Sequence, residues 1–295
     1  MGRVSEGTKT ERFGFIADHC SVFGVRYLCH QLGVSPQGYY KWVNRSKTPR
    51  DIENERIVRK IKEIFIEHDG NYGSPRIHAQ LRRQGESINH KRVERLIREY
   101  GFVGKAGRIY RRKPLPENPC NKVQNIQREK GKPTKPNQQW AGDVTYLKVN
   151  GTWQYLAVIL DLYSRKVVGW ELSGSRTVAL TLSALNKAVT SRRIGEELIF
   201  HSDRGSEYGA NIYQSQLSKL GIKPSMNRPG CMNDNVYVES FFQTMKTECF
   251  KRVEFESVQE LRMTLCWYMD EYYNCNRLHG SLGFKVPDEY ERMAL

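Results

Sequence analysis

Residues 139–164, QWAGDVTYLKVNGTWQYLAVILDLYS, contain two apolar runs separated by Asn150-Gly151. An Asn-Gly pair between two such runs is the strongest short-range indicator of a β-hairpin, because both residues tolerate the positive φ angles of a tight turn. A third apolar run, KVVGWEL at 166–172, follows directly. These residues predict a meander of three antiparallel strands.

Helical and strand patterns alternate after the meander. The predicted elements are a helix at 177–192, a strand at 197–202, a helix at 210–220, a strand at 222–226 and a helix at 234–248. The order βββαβαβα is typical of an α/β domain in which helices cover a mixed five-stranded sheet, the ribonuclease-H-like arrangement. Residues 255–295 are predicted to be helical.

Upstream, the segment FGVRYLCHQLGVSPQGYYKWVNR at 23–45 predicts two short helices about a turn. Apolar residues recur at helical spacing, Gly33 breaks the helix, and Ser35 followed by Pro36 supplies an N-cap and a first-turn proline. This pattern indicates a helix-turn-helix unit, although any small helical hairpin can show it. The second helix would present these residues to a DNA major groove: Gln37, Tyr40, Lys41 and Arg45.

A second helical unit is predicted from YGSPRIHAQLRRQGESINHKRVERLIREYGF at 72–102. A helix begins near Pro75, Gly85 breaks it, and another helix follows an Asn89 cap. The apolar residues of this last helix point inward and its cations cover the other face, which favours DNA binding over a plain solvated surface. The candidate DNA-binding residues here are Arg76, Lys91, Arg92, Arg95 and Arg98.

The excess of positive charge is confined to the first half of the chain. Residues 1–137 contain 29 lysines and arginines against 14 aspartates and glutamates, a net charge of +15, whereas residues 138–295 contain 18 of each. Clustered cations most often neutralise phosphates, so the basic half is predicted to bind nucleic acid, with a solvated basic surface as the alternative. Residues 105–137 predict a basic, proline-rich linker. Its candidate DNA-binding residues are Arg111, Arg112 and Lys113.

No segment predicts a membrane span or a secretion signal. The longest apolar stretch, around 155–160, is too short to cross a bilayer, and the N-terminus lacks an apolar core. Seven cysteines without regular spacing are typical of reduced thiols. A soluble, intracellular protein is expected. A zinc site is an alternative whose spacing does not match structural zinc sites, and half-buried helical residues are the simpler interpretation of His19, Cys20, Cys29 and His30.

Five regions are predicted, since 295 residues are enough for two domains or more. They are a helix-turn-helix domain at 1–48, a second helical DNA-binding domain at 49–104, a linker at 105–137, a ribonuclease-H-like core at 138–250 and a helical segment at 251–295.

Three acids are candidates for a metal site. Asp143 lies in the first predicted strand, Asp203 follows the fourth in HSDRGSEY, and Glu239 lies in the helix after the fifth. Strands one and four are central neighbours in this fold, so the carboxylates can converge, and Asn235 shares a helix face with Glu239. Two hard cations assist phosphodiester cleavage and magnesium takes oxygen ligands, so the trio predicts a magnesium site. Without metal, the acids would raise one another's proton affinity.

Each acid has an alternative interpretation. Asp203 could be a turn residue with a local ion pair, Asp143 could be a polar edge residue, and Glu239 could be solvated. The apolar neighbours of Asp143 and Glu239 argue against those alternatives. Asp161, at the end of YLAVILD, is a rival ligand that we expect to lie outside the site. Asp234 is predicted to be an N-cap.

Several motifs along the chain resemble those of a known protein family. HSDRGSEY, DNVYVESFFQTMKTE and YYNCNRLHGSLGFKVPDEY resemble the catalytic half of DDE transposases and retroviral-type integrases. LGVSPQGYYKW and YGSPRIHAQLRRQG resemble the upstream helices of second-reading-frame (OrfB) transposases of the insertion-sequence-three family, so the resemblance covers nearly the whole chain. It implies that Asp143, Asp203 and Glu239 are the catalytic, metal-binding triad. Four further residues would support the site or contact DNA near it: His201, Asn235, Arg277 and His279.

The resemblance implies strand cleavage at terminal inverted repeats, then attack of the freed 3′-hydroxyl on target DNA. It implies two Mg²⁺ ions with Mn²⁺ as a substitute, double-stranded DNA as a partner, an oligomer of at least two copies, and a bacterial, cytoplasmic, nucleoid-associated enzyme. It also implies a first-frame product (OrfA), bearing its own helix-turn-helix and a leucine zipper, as fusion or partner. The sequence begins with Met1 and has no sustained heptads, which departs from the fused form.

Two other functions fit the same residues. A DNA-binding regulator with an idle triad would bind without nicking. A metal nuclease with the same fold would cleave without joining. Cleavage and joining assays on end DNA separate all three.

Overall fold

The computed structural model describes residues 7–44, 46–105, 123–195, 197–229, 232–250 and 253–294. The chain divides into two compact units, Met1–Lys62 and Glu63–Leu295. The division falls inside a long helix, whereas the five predicted regions place a boundary at 48/49. Among the described helices, none is both long enough and apolar enough to cross a bilayer.

The first unit contains the predicted helical hairpin. Its helices are α1 (Lys9–Phe23), α2 (Val25–Gln31), α3 (Pro36–Val43) and the start of α4 (Pro49–Glu67). Ser35 caps α3 by accepting a hydrogen bond from Gly38 N at 3.1 Å, so the predicted N-cap is confirmed. Helix α1 has no predicted counterpart. Helices α1, α2 and α3 share a small core of Ile16, Leu28, Cys29, Leu32 and Tyr39.

The second helical pair opens the second unit. Helices α5 (Ser74–Arg83) and α6 (His90–Glu99) begin where the sequence predicts, with Pro75 in the first turn and Asn89 accepting a hydrogen bond from Lys91 N at 2.8 Å. Val93 and Leu96 are buried, which confirms the predicted inward face of α6.

The mixed sheet has five strands: β1 (Gln139–Val149), β2 (Thr152–Asp161), β3 (Val167–Ser173), β4 (Ile199–Ser202) and β5 (Lys223–Met226). The spatial order is β3-β2-β1-β4-β5, with β1, β2 and β3 antiparallel and β4 and β5 parallel to β1. Asn150 and Gly151 both have positive φ, at 42° and 80°, as the Asn-Gly turn predicts. The ribonuclease-H-like order is therefore confirmed.

The remaining helices cover the sheet. They are α7 (Ile126–Lys130), α8 (Val178–Ser191), α9 (Ser206–Gly209), α10 (Asn211–Lys219), α11 (Val236–Met245), α12 (Val258–Cys266) and α13 (Pro287–Arg292). Two π-helical runs continue α11 and α12, at Lys246–Phe250 and Trp267–Asn276. Short 3₁₀ turns lie at Met232–Asn235 and Gly280–Leu282.

Helix α7 corrects part of the predicted linker. Residues 123–128 pack against the end of the sheet, because Gln127 N donates to Ser225 Oγ at 3.1 Å and Met226 N donates to Gln124 O at 3.2 Å. Backbone groups that join a sheet edge cannot belong to an extended spacer. The carboxyl end of the predicted linker is thus part of the folded core.

Two apolar layers lie on the two faces of the sheet. One contains Ala141 and Leu147 of β1 with Val238 and Phe241 of α11. The other contains Trp140, Val144 and Phe200 with residues of α8 and α10. Odd-numbered and even-numbered residues of β1 therefore face opposite layers.

Candidate active site

Two aspartates lie side by side at the centre of the sheet. In the parallel pairing of β1 with β4, Gly142 is opposite Ser202, and the next residues of the two segments are Asp143 and Asp203. Neighbouring strands lie about 4.8 Å apart. Burial raises the pKa of the Tyr208 phenol, and the charges of both aspartates add to that effect. The structure thus brings these two carboxylates together.

Backbone amides orient one oxygen of each aspartate. Val144 N donates to Asp143 Oδ1 at 2.7 Å, and Gly205 N donates to Asp203 Oδ1 at 2.9 Å. Hydrogen bonds to a carboxylate favour its ionised form, which is the form that binds cations. Local backbone geometry therefore fixes the orientation of one oxygen in each carboxylate.

The helix that bears Glu239 is fixed beside β1 at two points. Asn235 Nδ2 donates to Gly142 O at 3.2 Å. Further along, Lys246 Nζ lies 4.9 Å from the ring centroid of Tyr146. Helix α11 with its π-helical continuation therefore advances alongside β1, in the same direction.

These two contacts bring the part of the helix that bears Glu239 alongside the part of β1 that bears Asp143. Glu239 lies four residues beyond Asn235, about 6 Å along the helix axis. Asp143 lies one residue beyond Gly142, about 3 Å along the strand. The two acids are therefore level to within about 3 Å along their shared direction. By strand alternation, Asp143 also points to the sheet face that α11 covers.

The oxygen-rich end of the sheet fits a hard divalent cation in part. Carboxylate oxygens are the ligands that magnesium prefers, and Asn235 Oδ1 is buried beside β1 without a hydrogen-bond partner among the described residues. Within the same described residues, however, no three histidine, cysteine, aspartate or glutamate side chains are already arranged to hold a metal ion. The zinc alternative for His19, Cys20, Cys29 and His30 lacks support for the same reason.

An ion pair absent from the predictions borders the aspartates. Arg176 Nε and Nη2 donate to Glu207 Oε1 at 2.8 and 2.6 Å, and Glu207 is buried. Burial disfavours the charge of Arg176, but Glu207, Asp203 and Asp143 raise its pKa above the ordinary value. A Cβ atom on Gly205 would meet Asp203 Oδ1 at 2.9 Å and Glu207 Oε2 at 3.0 Å, so this glycine lets the two acids approach. The only sequence signal was Glu207 within HSDRGSEY.

His201 joins β4 to β5 inside the sheet. Its Nδ1 lies 2.9 Å from Ser225 Oγ and its Nε2 lies 2.8 Å from Asn227 Oδ1. Burial lowers its pKa to about 4, so the imidazole is neutral at physiological pH. Because the side chain is fully buried, direct contact with DNA is excluded. His201 supports the strand that ends just before Asp203.

Two other acids have structural roles. Asp161 accepts hydrogen bonds from Asn137 N and Tyr163 N at 2.7 and 2.8 Å, and it pairs in register with Trp140, three residues before Asp143. It therefore lies outside the candidate site. Asp234 is not the N-cap: Asn235 occupies that position, while Asp234 binds Arg228 and Asn125.

The C-terminal motif supports a different part of the molecule from the one expected. Arg277 is buried and donates to both carboxylate oxygens of Glu248, at 2.7 to 3.0 Å. Glu248 lies nine residues beyond Glu239, about 13 Å along a helix. His279 is buried with Nε2 lacking a partner among the described residues, and burial with the charge of Arg277 lowers its pKa to about 2. These two residues stabilise the junction with α5, not the acid cluster.

The predicted DNA-binding residues fall into three groups. Exposed or half-exposed on α3 and α6 are Gln37, Tyr40, Lys41, Lys91, Arg92, Arg95 and Arg98. Arg76 is a correction, because its guanidinium donates to Leu278 O at 3.0 Å and Asn71 O at 3.2 Å within the second unit. Lying outside the described residues are Arg45, Arg111, Arg112 and Lys113.

Family models cover most of the chain. Models described as Integrase core domain match residues 133–231 and 220–287, and a model described as HTH-like domain matches residues 52–113. The integrase-core match contains β1 to β5 with both aspartates. The HTH-like match contains α5 and α6.

Full-length relatives decide the family. The chain is 34% identical over 291 residues to Transposase InsF for insertion sequence IS3A of Escherichia coli (strain K12), covering 96% of this chain and 99% of the relative. It belongs to the IS3 family of insertion-sequence transposases. A second relative of this transposase, from Lactococcus lactis subsp. lactis (strain IL1403), is the transposase for insertion sequence element IS904, 35% identical over 85% of this chain and 99% of that one.

Solved integrase structures are less similar to the transposase in sequence than these two relatives are. A chain of the simian T-cell lymphotropic virus intasome, in complex with PP2A regulatory subunit B56 gamma, has a TM-score of 0.46 and 18% identity, covering 79% of this chain and 74% of that chain. The HTLV-2 integrase catalytic core domain in complex with magnesium has a TM-score of 0.39 and 19% identity, covering 54% and 98%. The fold assignment rests on the strand order of the transposase and on its integrase-core match.

Proposed function

We propose that this transposase cleaves one DNA strand at each end of its insertion sequence and joins the freed end to target DNA. In the first step water adds to phosphorus, the bond from phosphorus to the 3′-oxygen breaks, and a 3′-hydroxyl leaves. In the second step that hydroxyl attacks a target phosphodiester and displaces another 3′-oxygen. The observation that supports the proposal is the adjacency of Asp143 and Asp203, with the helix that bears Glu239 running alongside their strand.

The cofactor in this proposal is a pair of Mg²⁺ ions, with Mn²⁺ as a substitute, held by Asp143, Asp203 and Glu239. Bound there, the ions would neutralise negative charge on the attacking and leaving oxygens of the phosphodiester. The protein's own contribution is orientation: amides of Val144 and Gly205 fix one oxygen of each aspartate. The Arg176 guanidinium adds positive charge at the border of this anionic cluster.

The proposed partners follow from the two halves of the chain. The basic helices, with the exposed cations of α6, would hold double-stranded terminal repeats and target DNA. Two element ends must be processed together, so we propose an assembly of at least two copies in the cytoplasm, associated with the nucleoid. The first-frame product is a further proposed partner. The predicted five-region division remains part of the same proposal.

Single substitutions of the three acids test the reaction. Asp143→Asn, Asp203→Asn and Glu239→Gln each remove one negative ligand with little change in shape, so cleavage should fall by more than about a hundredfold while DNA binding persists. The assay uses labelled duplexes carrying the element end, Mg²⁺ or Mn²⁺, and protein with or without the first-frame product. Asp270→Asn, which changes an exposed acid of the same unit, should behave as the wild type.

The products distinguish this proposal from its alternatives. Binding without cleavage by the wild type under every condition would identify a regulator, and cleavage without joined product would identify a nuclease. Full activity of Glu239→Gln would remove that residue from the site.

A further inference from the structure

The far end of the β1–β2 hairpin carries two aromatic rings on its surface. Tyr146 is 56% exposed and Trp153 is 50% exposed. Among the described strands, β4 pairs with β1 only from Gln139 to Gly142, so the rest of β1 pairs with β2 alone. Exposing large rings to water is unfavourable, and grouped exposed rings commonly mark a binding surface.

The rings form a row with two lysines. Tyr146 and Trp153 meet edge to face, with centroids 5.2 Å apart and planes at 84°. Lys148 Nζ lies 5.9 Å from the Trp153 ring and Lys246 Nζ lies 4.9 Å from the Tyr146 ring. We call these four residues the hairpin patch. It places the two rings side by side, with one lysine at each end of the row.

The hairpin patch lies close to the candidate site along two elements. Tyr146 is three residues beyond Asp143 on β1, about 10 Å along the strand, and by strand alternation its side chain leaves the opposite face of the sheet. Lys246 is seven residues beyond Glu239, two helical turns or about 10 Å along the same helix face. At 3.4 Å per nucleotide of one strand, that distance corresponds to about three nucleotides.

The shape of the hairpin restricts the bound group. Leu147 and Val149 are buried under helices on one face, so only the other face of the hairpin is open to DNA. Phosphate contacts alone would need lysines but no rings. Aromatic rings beside cations are the combination that binds single-stranded nucleic acid, through base stacking and backbone charge.

We propose that the hairpin patch binds an unpaired nucleobase of the DNA strand that the transposase cleaves. The base lies within about three nucleotides of the phosphodiester at the acid cluster. Trp153 and Tyr146 supply the stacking surface, while Lys148 and Lys246 contact the adjoining phosphates. This inference rests on the proposed strand cleavage, and it adds that the end of the element is locally unpaired when bound.

Fluorescence of 2-aminopurine tests the proposal. The base is placed singly at each of the nucleotides flanking the cleavage point in a duplex carrying the element end. With wild-type protein we expect stacking to quench one or two positions within about three nucleotides of that point. Trp153→Leu, which keeps apolar bulk in the hairpin, should abolish this quenching, and Trp153→Phe should retain it.

Affinity gives a second readout. Duplexes with mismatches at the quenched positions should bind the wild type more tightly than paired duplexes, and Trp153→Leu should lose about 5- to 150-fold on the mismatched DNA. The double variant Lys148→Ala/Lys246→Ala keeps both rings. It should lower the salt slope, which is the slope of log affinity against log salt concentration, by about 0.7 for each lysine. Trp267→Leu is the matched control, because Trp267 is 51% exposed and lies in the helical run after α12, outside the hairpin.

The outcomes separate this inference from the proposed chemistry. Asp143→Asn should keep the quenching while losing cleavage. Quenching that persists in Trp153→Leu, or that is equally lost in Trp267→Leu, would contradict base binding by the hairpin patch. The proposed catalytic role of the three acids would be unaffected. If Trp153→Leu fails to fold, an unchanged salt slope and unchanged mismatch preference in the lysine double variant would overturn it instead.

Discussion

At the scale of single residues, two glycines of the sheet allow close packing that a Cβ atom would prevent. A Cβ atom on Gly142 would lie 2.6 Å from Phe200 Cζ, so glycine at this position lets β1 pass under the ring just before Asp143. A Cβ atom on Gly169 would lie 2.4 Å from Ala184 O and 2.8 Å from Ala188 Cβ. Strand β3 and helix α8 therefore touch at van der Waals distance through a glycine.

Gly169→Ala should destabilise the transposase. The nearest atoms belong to the α8 backbone and cannot rotate away, so overpacking should cost about 1–3 kcal/mol or more in the free energy of unfolding. Urea denaturation of the two proteins measures this difference. Gly174→Ala is the control, because its nearest side-chain atoms lie at 3.9 Å and it should change stability little. Equal effects of the two substitutions would show that the close packing at Gly169 is not what matters.

His279 should make stability depend on pH. Its folded-state pKa of about 2 is below the unfolded value of 6.5, so the unfolded chain binds the proton between those values. The stabilisation is complete above pH 6.5 and is lost as the pH falls. Between pH 6.5 and 4.5 the free energy of unfolding should fall by about 2 kcal/mol because of this one group. Other histidines whose pKa is lowered by burial, such as His201, add to this loss.

Denaturation curves at several pH values check that dependence. The slope of stability against pH should be smaller in His279→Asn, which keeps a donor near the position of Nδ1. Below pH 4.5, Glu171 and Asp234, whose pKa values are about 2 because of their cationic partners, contribute in the same direction. An unchanged slope between pH 4.5 and 6.5 would mean that His279 is not buried in its neutral form.

At the scale of elements, the buried ion pair of Glu248 with Arg277 lies where Arg76 of α5 meets the C-terminal segment. Glu248 binds Arg277 and also accepts a hydrogen bond from the Tyr268 hydroxyl at 2.8 Å. On the opposite side, Tyr72 accepts a hydrogen bond from Leu278 N at 2.9 Å. The HTH-like helices are thus attached to the catalytic core through the motif that contains Arg277.

Glu248→Ala should open this junction. Removing one member of a buried pair leaves the other charge unpaired, so the free energy of unfolding should fall by about 3–5 kcal/mol. Hydrogen exchange should accelerate first in α5 and α6. The exposed pair Arg83–Glu289, with atoms at 2.8 Å, provides the control: Glu289→Ala should cost less than about 1 kcal/mol. Uniform exchange throughout the unit would argue against a local junction.

At the scale of the whole molecule, the excess positive charge that we propose to hold DNA and the three acids that we propose to cleave it lie in different halves of the chain. The net charge of +15 lies in residues 1–137, and the catalytic half is neutral. Phosphate contacts release counterions, so the affinity of such a protein falls steeply as salt rises. We propose that the exposed arginines of α6 belong to the surface that holds DNA.

Arg92→Ala and Arg95→Ala should each weaken DNA binding and lower the log-log salt slope by about 0.9, the value for one phosphate contact on duplex DNA. Cleavage of bound DNA should be unchanged at saturating protein. Lys219→Ala removes an exposed cation from the neutral half and should leave the slope as it is. A wild-type slope near zero would remove the electrostatic interpretation altogether.

The sequence by itself determined the elements whose causes are local. Asn150-Gly151 set the hairpin, Ser35 and Asn89 set helix starts, and apolar periodicity set the order of strands and helices. It also identified the three acids as candidates. Turn geometry, capping and amphipathic spacing act over a few residues, so they can be read along the chain.

Only the tertiary structure decided which distant groups meet. Arg176 and Glu207 are 31 residues apart, and Arg277 finds Glu248 across 29 residues. In the structure Asn235, and not Asp234, is the N-cap of α11. Arg76 donates to backbone carbonyls, and His201 is buried in β4 with a hydrogen bond to Ser225 of β5. The physical reason is that a buried charge or donor takes whichever partner packing places within about 3 Å, and sequence spacing does not encode that distance.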